Sequence, residues 1–129
     1  NSSVRGISMK IRNGFVSNSS SSSFVIAINT KVGSVEIDKF VEHCLEYITR
    51  FVAEGGYVEA RAEKLVEEFK QDLANEIVWL LNSGTGLALN NWIIFAQEYS
   101  NEDGGFSSFM YECAELLNTK LIKFKCGGR

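Results

Sequence analysis

The sequence predicts an α/β fold of the α+β kind: a small mixed sheet of three to four strands with about three helices packed against it, in the order β-α-α-β-α-β. Three observations carry this expectation. Apolar residues run together or alternate in short stretches near 24–28, 91–99 and 120–126. Between those stretches they return at steps of three and four over 34–54, 58–82 and 106–117, which is the spacing of one helix face. Glycine clusters mark the boundaries, while proline is absent from all 129 residues, so no helix or strand is interrupted by it.

Phe24-Val25-Ile26-Ala27-Ile28 is continuously apolar with β-branched members, the pattern of a strand covered on both faces. Ser34 is placed to N-cap the first helix, on which Ile37, Phe40, Val41, Cys44, Leu45, Ile48, Phe51 and Val52 share one side, and Gly55-Gly56 ends it. A longer helix follows from about Val58 to Asn82. Leu65, Val66, Phe69, Leu73, Ile77 and Leu80 point inward on it, and Ser83-Gly84-Thr85-Gly86 stops it with glycine at the C-cap. Asn91 to Tyr99 reads as a central strand. After the polar, acidic turn 101–105, Phe106, Phe109, Met110, Cys113, Ala114 and Leu117 outline a third helix. The last strand, Lys120 to Cys126, sets Ile122, Phe124 and Cys126 on one face and Leu121, Lys123 and Lys125 on the other, as an edge strand would.

Length and composition fit one compact domain, with 45% apolar residues to build its core. No apolar run approaches the ~20 residues of a membrane helix, so no membrane contact is expected. The formal charge of −3 hides a segregation. Residues 1–35 carry Arg5, Lys10, Arg12 and Lys31 and no acid, and residues 118–129 carry Lys120, Lys123, Lys125 and Arg129 and no acid. Residues 36–80 hold five bases against eleven acids, and 81–117 hold five acids and no base. Three cysteines without CxxC spacing argue against a disulfide framework and a zinc site, and a single histidine, His43, limits metal and acid–base chemistry. No metal and no cofactor is therefore expected. With no secretory signal at the start of the sequence, the cytoplasm of a bacterial host is the expected compartment.

Asn1 to Ser8 reads as a tag or vector remnant ahead of Met9, leaving 9–129 as the domain. Ile7, Met9 and Ile11 before Asn13-Gly14 outline a short hairpin. Residues 17–23, a serine run broken only by Asn18, read as a loop or arm because short polar side chains compete for backbone hydrogen bonds. A phosphate cradle fits less well: the run lacks glycine and leads into a strand rather than a helix N-terminus. Arg12-Asn13-Gly14-Phe15-Val16-Ser17-Asn18 followed by Ser19 to Ser23 and Phe24 resembles the N-terminal signature of small uncharacterised proteins encoded by bacteriophages and bacteria. The segment from Glu102 to Tyr111 is also similar to such proteins. The resemblance implies a phage-type accessory protein and brings no catalytic residues with it.

Candidate chemistry is sparse. Glu102 and Asp103 precede a helix, where they could act as acid and base or simply favour the positive helix N-terminus, and Ser107 and Ser108 follow. Gly105-Phe106-Ser107-Ser108 lacks the second glycine of a nucleophile elbow. His43 lies with Glu42, Glu46 and Arg50 opposite the apolar stripe, as a solvated histidine would. Cys44 and Cys113 read as small core residues, Cys126 as the exposed thiol, and Trp79 and Trp92 as core or rim packing. For binding, the candidates are Ser19, Ser20, Ser21 and Ser22 in the serine run and Lys123 and Lys125 on the last strand.

Three functions of different classes stay open at this point. One is an accessory protein that binds a host or phage protein. Another is a small enzyme using the 102–108 turn, and the third is a nucleic-acid-associated module using the basic termini. A clustered Lys10, Arg12, Lys123 and Lys125 patch with salt-dependent DNA retention would favour the third, a deep pocket lined by the 102–108 turn the second, and a flat apolar patch with neither the first.

Overall fold

The computed structural model describes residues 21–100 and 105–126. The elements are β1 (Ser21–Asn29), α1 (Ser34–Ala53), α2 (Glu59–Ser83), β2 (Leu87–Leu89), β3 (Trp92–Ser100), α3 (Gly105–Cys113), a 3-10 turn (Ala114–Leu117) and β4 (Ile122–Cys126). Fold class and element order are those the sequence predicts. The hairpin at 7–14, the boundary at Met9 and the segment 17–20 lie outside the described residues.

The four strands are ordered β2-β3-β1-β4, with β1 and β3 in the middle. All pairings are antiparallel, so the expected mixed sheet is an antiparallel one. The reason lies in the connections: β3 and β4 run in the same direction but are not neighbours, because β1 lies between them. Among the described residues β4 is an edge strand, as its alternating lysines predict.

α1 and α2 follow their apolar periodicity closely. Ile37, Phe40, Val41, Cys44, Ile48 and Val52 of α1 are buried, and so are Leu65, Phe69, Leu73, Ile77 and Leu80 of α2. Together with α3 they form one cluster with Phe24, Ile26, Ile28, Phe95, Ile122 and Phe124 of the sheet. Phe109 sits at the centre of an aromatic group, 5.5 Å from both the Phe51 and Phe69 rings.

Two local expectations change. The N-cap of α1 is Gly33 rather than Ser34, and the Glu36 carboxylate accepts the Gly33 backbone N–H at 2.9 Å. That bond holds the Glu36 carboxyl below its ordinary range. The strand begins at Ser21, so Ser21, Ser22 and Ser23 are strand rather than loop. Backbone pairing with Ser100, Tyr99 and Glu98 overrides the local preference of serine for turns.

The loop from α2 to β2 requires glycine at two points for different reasons. Gly84 takes φ 74°, the left-handed C-cap conformation. Gly86 passes so close to Phe95 that a Cβ there would lie 2.7 Å from the ring. β2 itself is a short strand that the sequence reading had missed, joined to β3 by Asn90-Asn91 with Asn90 at φ 58°.

Candidate binding surface

Alternation along the strands assigns each side chain to one sheet face. In β1, Phe24, Ile26 and Ile28 are at most 1% exposed beneath the helices, whereas Val25 is 42% exposed on the other side. The expectation that this strand is covered on both faces is therefore corrected. Every helical apolar face joins the single cluster on the inner side, and among the described residues no element packs on the outer one.

Register builds the outer face row by row, since directly paired antiparallel residues point the same way. One row runs Leu87, Ile94, Ala27, Lys123 across all four strands. The next runs Ala96, Val25, Lys125, and on the other side Leu89 pairs with Trp92. Leu87 and Leu89 are 67% and 54% exposed. Trp92, Ile94 and Ala27 are half-buried against their neighbours. An antiparallel sheet with one open face ordinarily alternates apolar inward and polar outward. Here seven outward positions are apolar, four of them exposed (Val25, Leu87, Leu89 and Ala96) and three half-buried.

The structure treats the predicted site residues unequally. Lys123 and Lys125 stand together on the outer face at its β4 border, both exposed, and the Lys123 ammonium donates to the Thr119 carbonyl at 3.0 Å. Ser21 and Ser22 pair with Ser100 and Tyr99 at one end of the sheet. Ser19, Ser20, Glu102 and Asp103 lie outside the described residues.

Ser107 and Ser108 differ in exposure. Ser107 is 1% exposed and its Oγ has no hydrogen-bond partner among the described residues, while Ser108 is exposed. His43 is exposed on α1 beside the Tyr47 ring. Cys44 is buried, and loss of solvation pushes its thiol up to about 12. Burial likewise raises the Cys113 thiol, with Glu112 and Glu54 adding to the effect. Neither has thiolate character near neutral pH. Cys126 ends β4 opposite Phe24.

One polar pair in the inner layer went unread in the sequence. Glu76 of α2 is buried, and the Gln97 side-chain amide donates to its carboxylate at 3.1 Å. Glu76 sits beside Ile77 on the inward side of α2, and its partner is 21 residues away, so no local spacing signals it. The row of outward apolar residues was legible only as a two-sided apolar strand.

The described residues hold no group of three or more His, Cys, Asp or Glu able to bind a metal, and no helix long and apolar enough to cross a membrane. A groove of about 170 Å³ lies between α1 and the β4 approach, lined by Glu36, Lys39, Phe40, Thr119, Lys120, Leu121 and Ile122. It is smaller than the ~300 Å³ at which ligand pockets begin and does not include Ser107 or Ser108. Comparison with known proteins found no matching family model, no matching curated protein and no matching solved structure.

Proposed function

We propose that this chain is a phage-type accessory protein that acts by binding a host or phage protein, not by catalysis, in the cytoplasm of a bacterial host. The observation that carries the reading is the apolar outer face of the sheet, running through neighbouring paired positions from Leu87 to Val25. Its side chains would be costly to leave in water across a whole sheet face, at ~25 cal/mol per Å² of apolar area, unless a partner covers them. The accessory role and the compartment draw on the resemblance of the Arg12–Phe24 segment and on cysteine spacing, respectively.

The enzyme reading loses support with Ser107 sealed and unpartnered. The nucleic-acid reading keeps one supporting observation, the exposed Lys123 and Lys125 on the same face. The test uses the full chain and an Ile94→Glu variant as baits in a host lysate, with Val25→Glu as a second variant and circular dichroism as the folding control. A protein retained by the parent and lost from both variants is the expected result. Equal retention by all three overturns the reading. So does a bound fraction that is DNA and falls steeply with salt.

A further inference from the structure

The relief and charge of the outer face narrow the kind of protein that fits it. Leu87 and Leu89 form one border and Lys123 and Lys125 the other, with Val25, Ala27, Trp92, Ile94 and Ala96 between them. Strands spaced ~4.8 Å apart put those borders about 14 Å from each other. The floor between them mixes the small Ala27 and Ala96 with the larger Val25, Ile94 and Trp92. An α-helix with its side chains is ~10–12 Å across and fits that width. Strand addition is less suitable, because β2 offers only three residues and lysines guard the β4 border.

Charge chooses between the occupants. A second copy laid on this face would bring its lysines against lysines or leucines, with Glu98 alone as an outward acid among the described residues. Residues 1–20 of the chain itself carry Arg5, Lys10 and Arg12 and no acid, so they repel the lysine border. A nucleic-acid strand needs faces on which bases stack, and among the described residues Trp92 is the outer face's one aromatic ring, half-buried beside Leu89. An acidic protein segment meets both the apolar floor and the basic border.

We propose that the outer face takes an amphipathic helix of a partner protein, its apolar stripe on Val25, Ala27, Ile94 and Ala96 and an acidic flank along Lys123 and Lys125. This rests on the protein-binding reading above and adds the partner's chemistry to it. Two synthetic helical peptides with the same leucine stripe, one flanked by glutamates and one by lysines, are titrated into the ¹⁵N-labelled full chain. A single-stranded dT oligonucleotide is the third probe.

The glutamate peptide is expected to shift the amides of Val25, Ala27, Ile94 and Ala96 and to bind about tenfold more tightly than the lysine peptide, as two rim charges changed from attraction to repulsion allow. Lys123→Glu with Lys125→Glu is expected to reverse the order, and Lys125→Gln alone to narrow it. Equal binding of the two peptides, or binding of neither, overturns the inference and leaves the protein-binding reading to its own capture test. Concentration-dependent self-association through the same amides also overturns it. Preferential binding of the oligonucleotide to this face overturns both.

Discussion

Phe95 and Ile94 are neighbours in β3, yet Phe95 is 3% exposed under the helices while Ile94 faces outward between Leu87 and Ala27. The two faces of this sheet are built from similar side chains and differ in what covers them. On the inner side three helices supply the second layer, so apolar residues there hold the fold together. On the outer side comparable residues have no such layer over them among the described residues, and on the proposed function their value lies in what they bind. The difference separates stability from recognition within a single sheet, and it can be broken at single residues.

The largest expected effect is on the inner face. Phe95→Ala should destabilise the chain by about 3–5 kcal/mol, because it removes a buried ring and leaves a cavity beneath Gly86. Ile94→Ala, one residue away, should cost about 1 kcal/mol or less, as a half-buried side chain loses few neighbours. Urea unfolding followed by circular dichroism measures both. Equal losses would show that the outer face is as structural as the inner one.

The inner layer also holds a thiol that should respond to pH. The Cys44 thiol is raised from the ordinary range near 9 to about 12, so in the folded chain it keeps its proton after the unfolded chain has lost it. Its contribution is complete below pH 9 and is lost as the pH rises towards 12. Chemical stability measured at pH 8, 9.5 and 10.5 should fall across that series in the parent and fall less in Cys44→Ala. A flat series in the parent would mean that Cys44 is more open to water than its burial implies.

Polar groups in the inner layer should split by whether they have a partner. Glu76→Ala strands the Gln97 amide and should cost about 1–3 kcal/mol, whereas Glu76→Gln keeps a hydrogen-bond acceptor and should cost less. Ser107→Ala removes a hydroxyl that has no partner and should leave stability unchanged or raise it by up to about 1 kcal/mol. A loss on Ser107→Ala would mean that the hydroxyl finds a partner in solution and would reopen the 102–108 turn as a site.

Much of the inner layer was legible in sequence because helix periodicity reports burial directly: Ile37, Cys44, Ile48, Phe69, Leu73 and Ile77 all lie where the three- and four-residue steps put them. The outer face was not. A strand such as Phe24 to Ile28 is apolar on both sides whether its second side meets a helix of the same chain or a partner, and only tertiary structure separates those cases. β2 was missed because Leu87-Ala88-Leu89 is too short for alternation to register. Its signal was Asn90-Asn91, a two-residue turn between apolar segments. Of the binding candidates, Lys123 and Lys125 were correctly paired on one face, since alternation in a half-polar strand is unambiguous. What they face, Ala27 and Val25, follows from register, which no local pattern contains.

The smallest expected change in stability should accompany the largest change in recognition. Val25→Thr keeps the β-branched shape that a strand favours and puts a hydroxyl at a position already 42% exposed, so stability should move by no more than about 0.5 kcal/mol. Yet Val25 lies in the middle of the outer face, between Ala96 and Lys125, where a partner's apolar residues would have to leave the new hydroxyl dry. Any protein captured by the parent chain should therefore be held markedly less by Val25→Thr, with unfolding midpoints that superimpose. Ala88→Ser is the matching control, because Ala88 pairs with Ile93 and so belongs to the opposite side of the sheet. If the two substitutions weaken capture equally, the outer face has no privileged role. If Val25→Thr alone does so, recognition and folding have been assigned to opposite sides of the same strands.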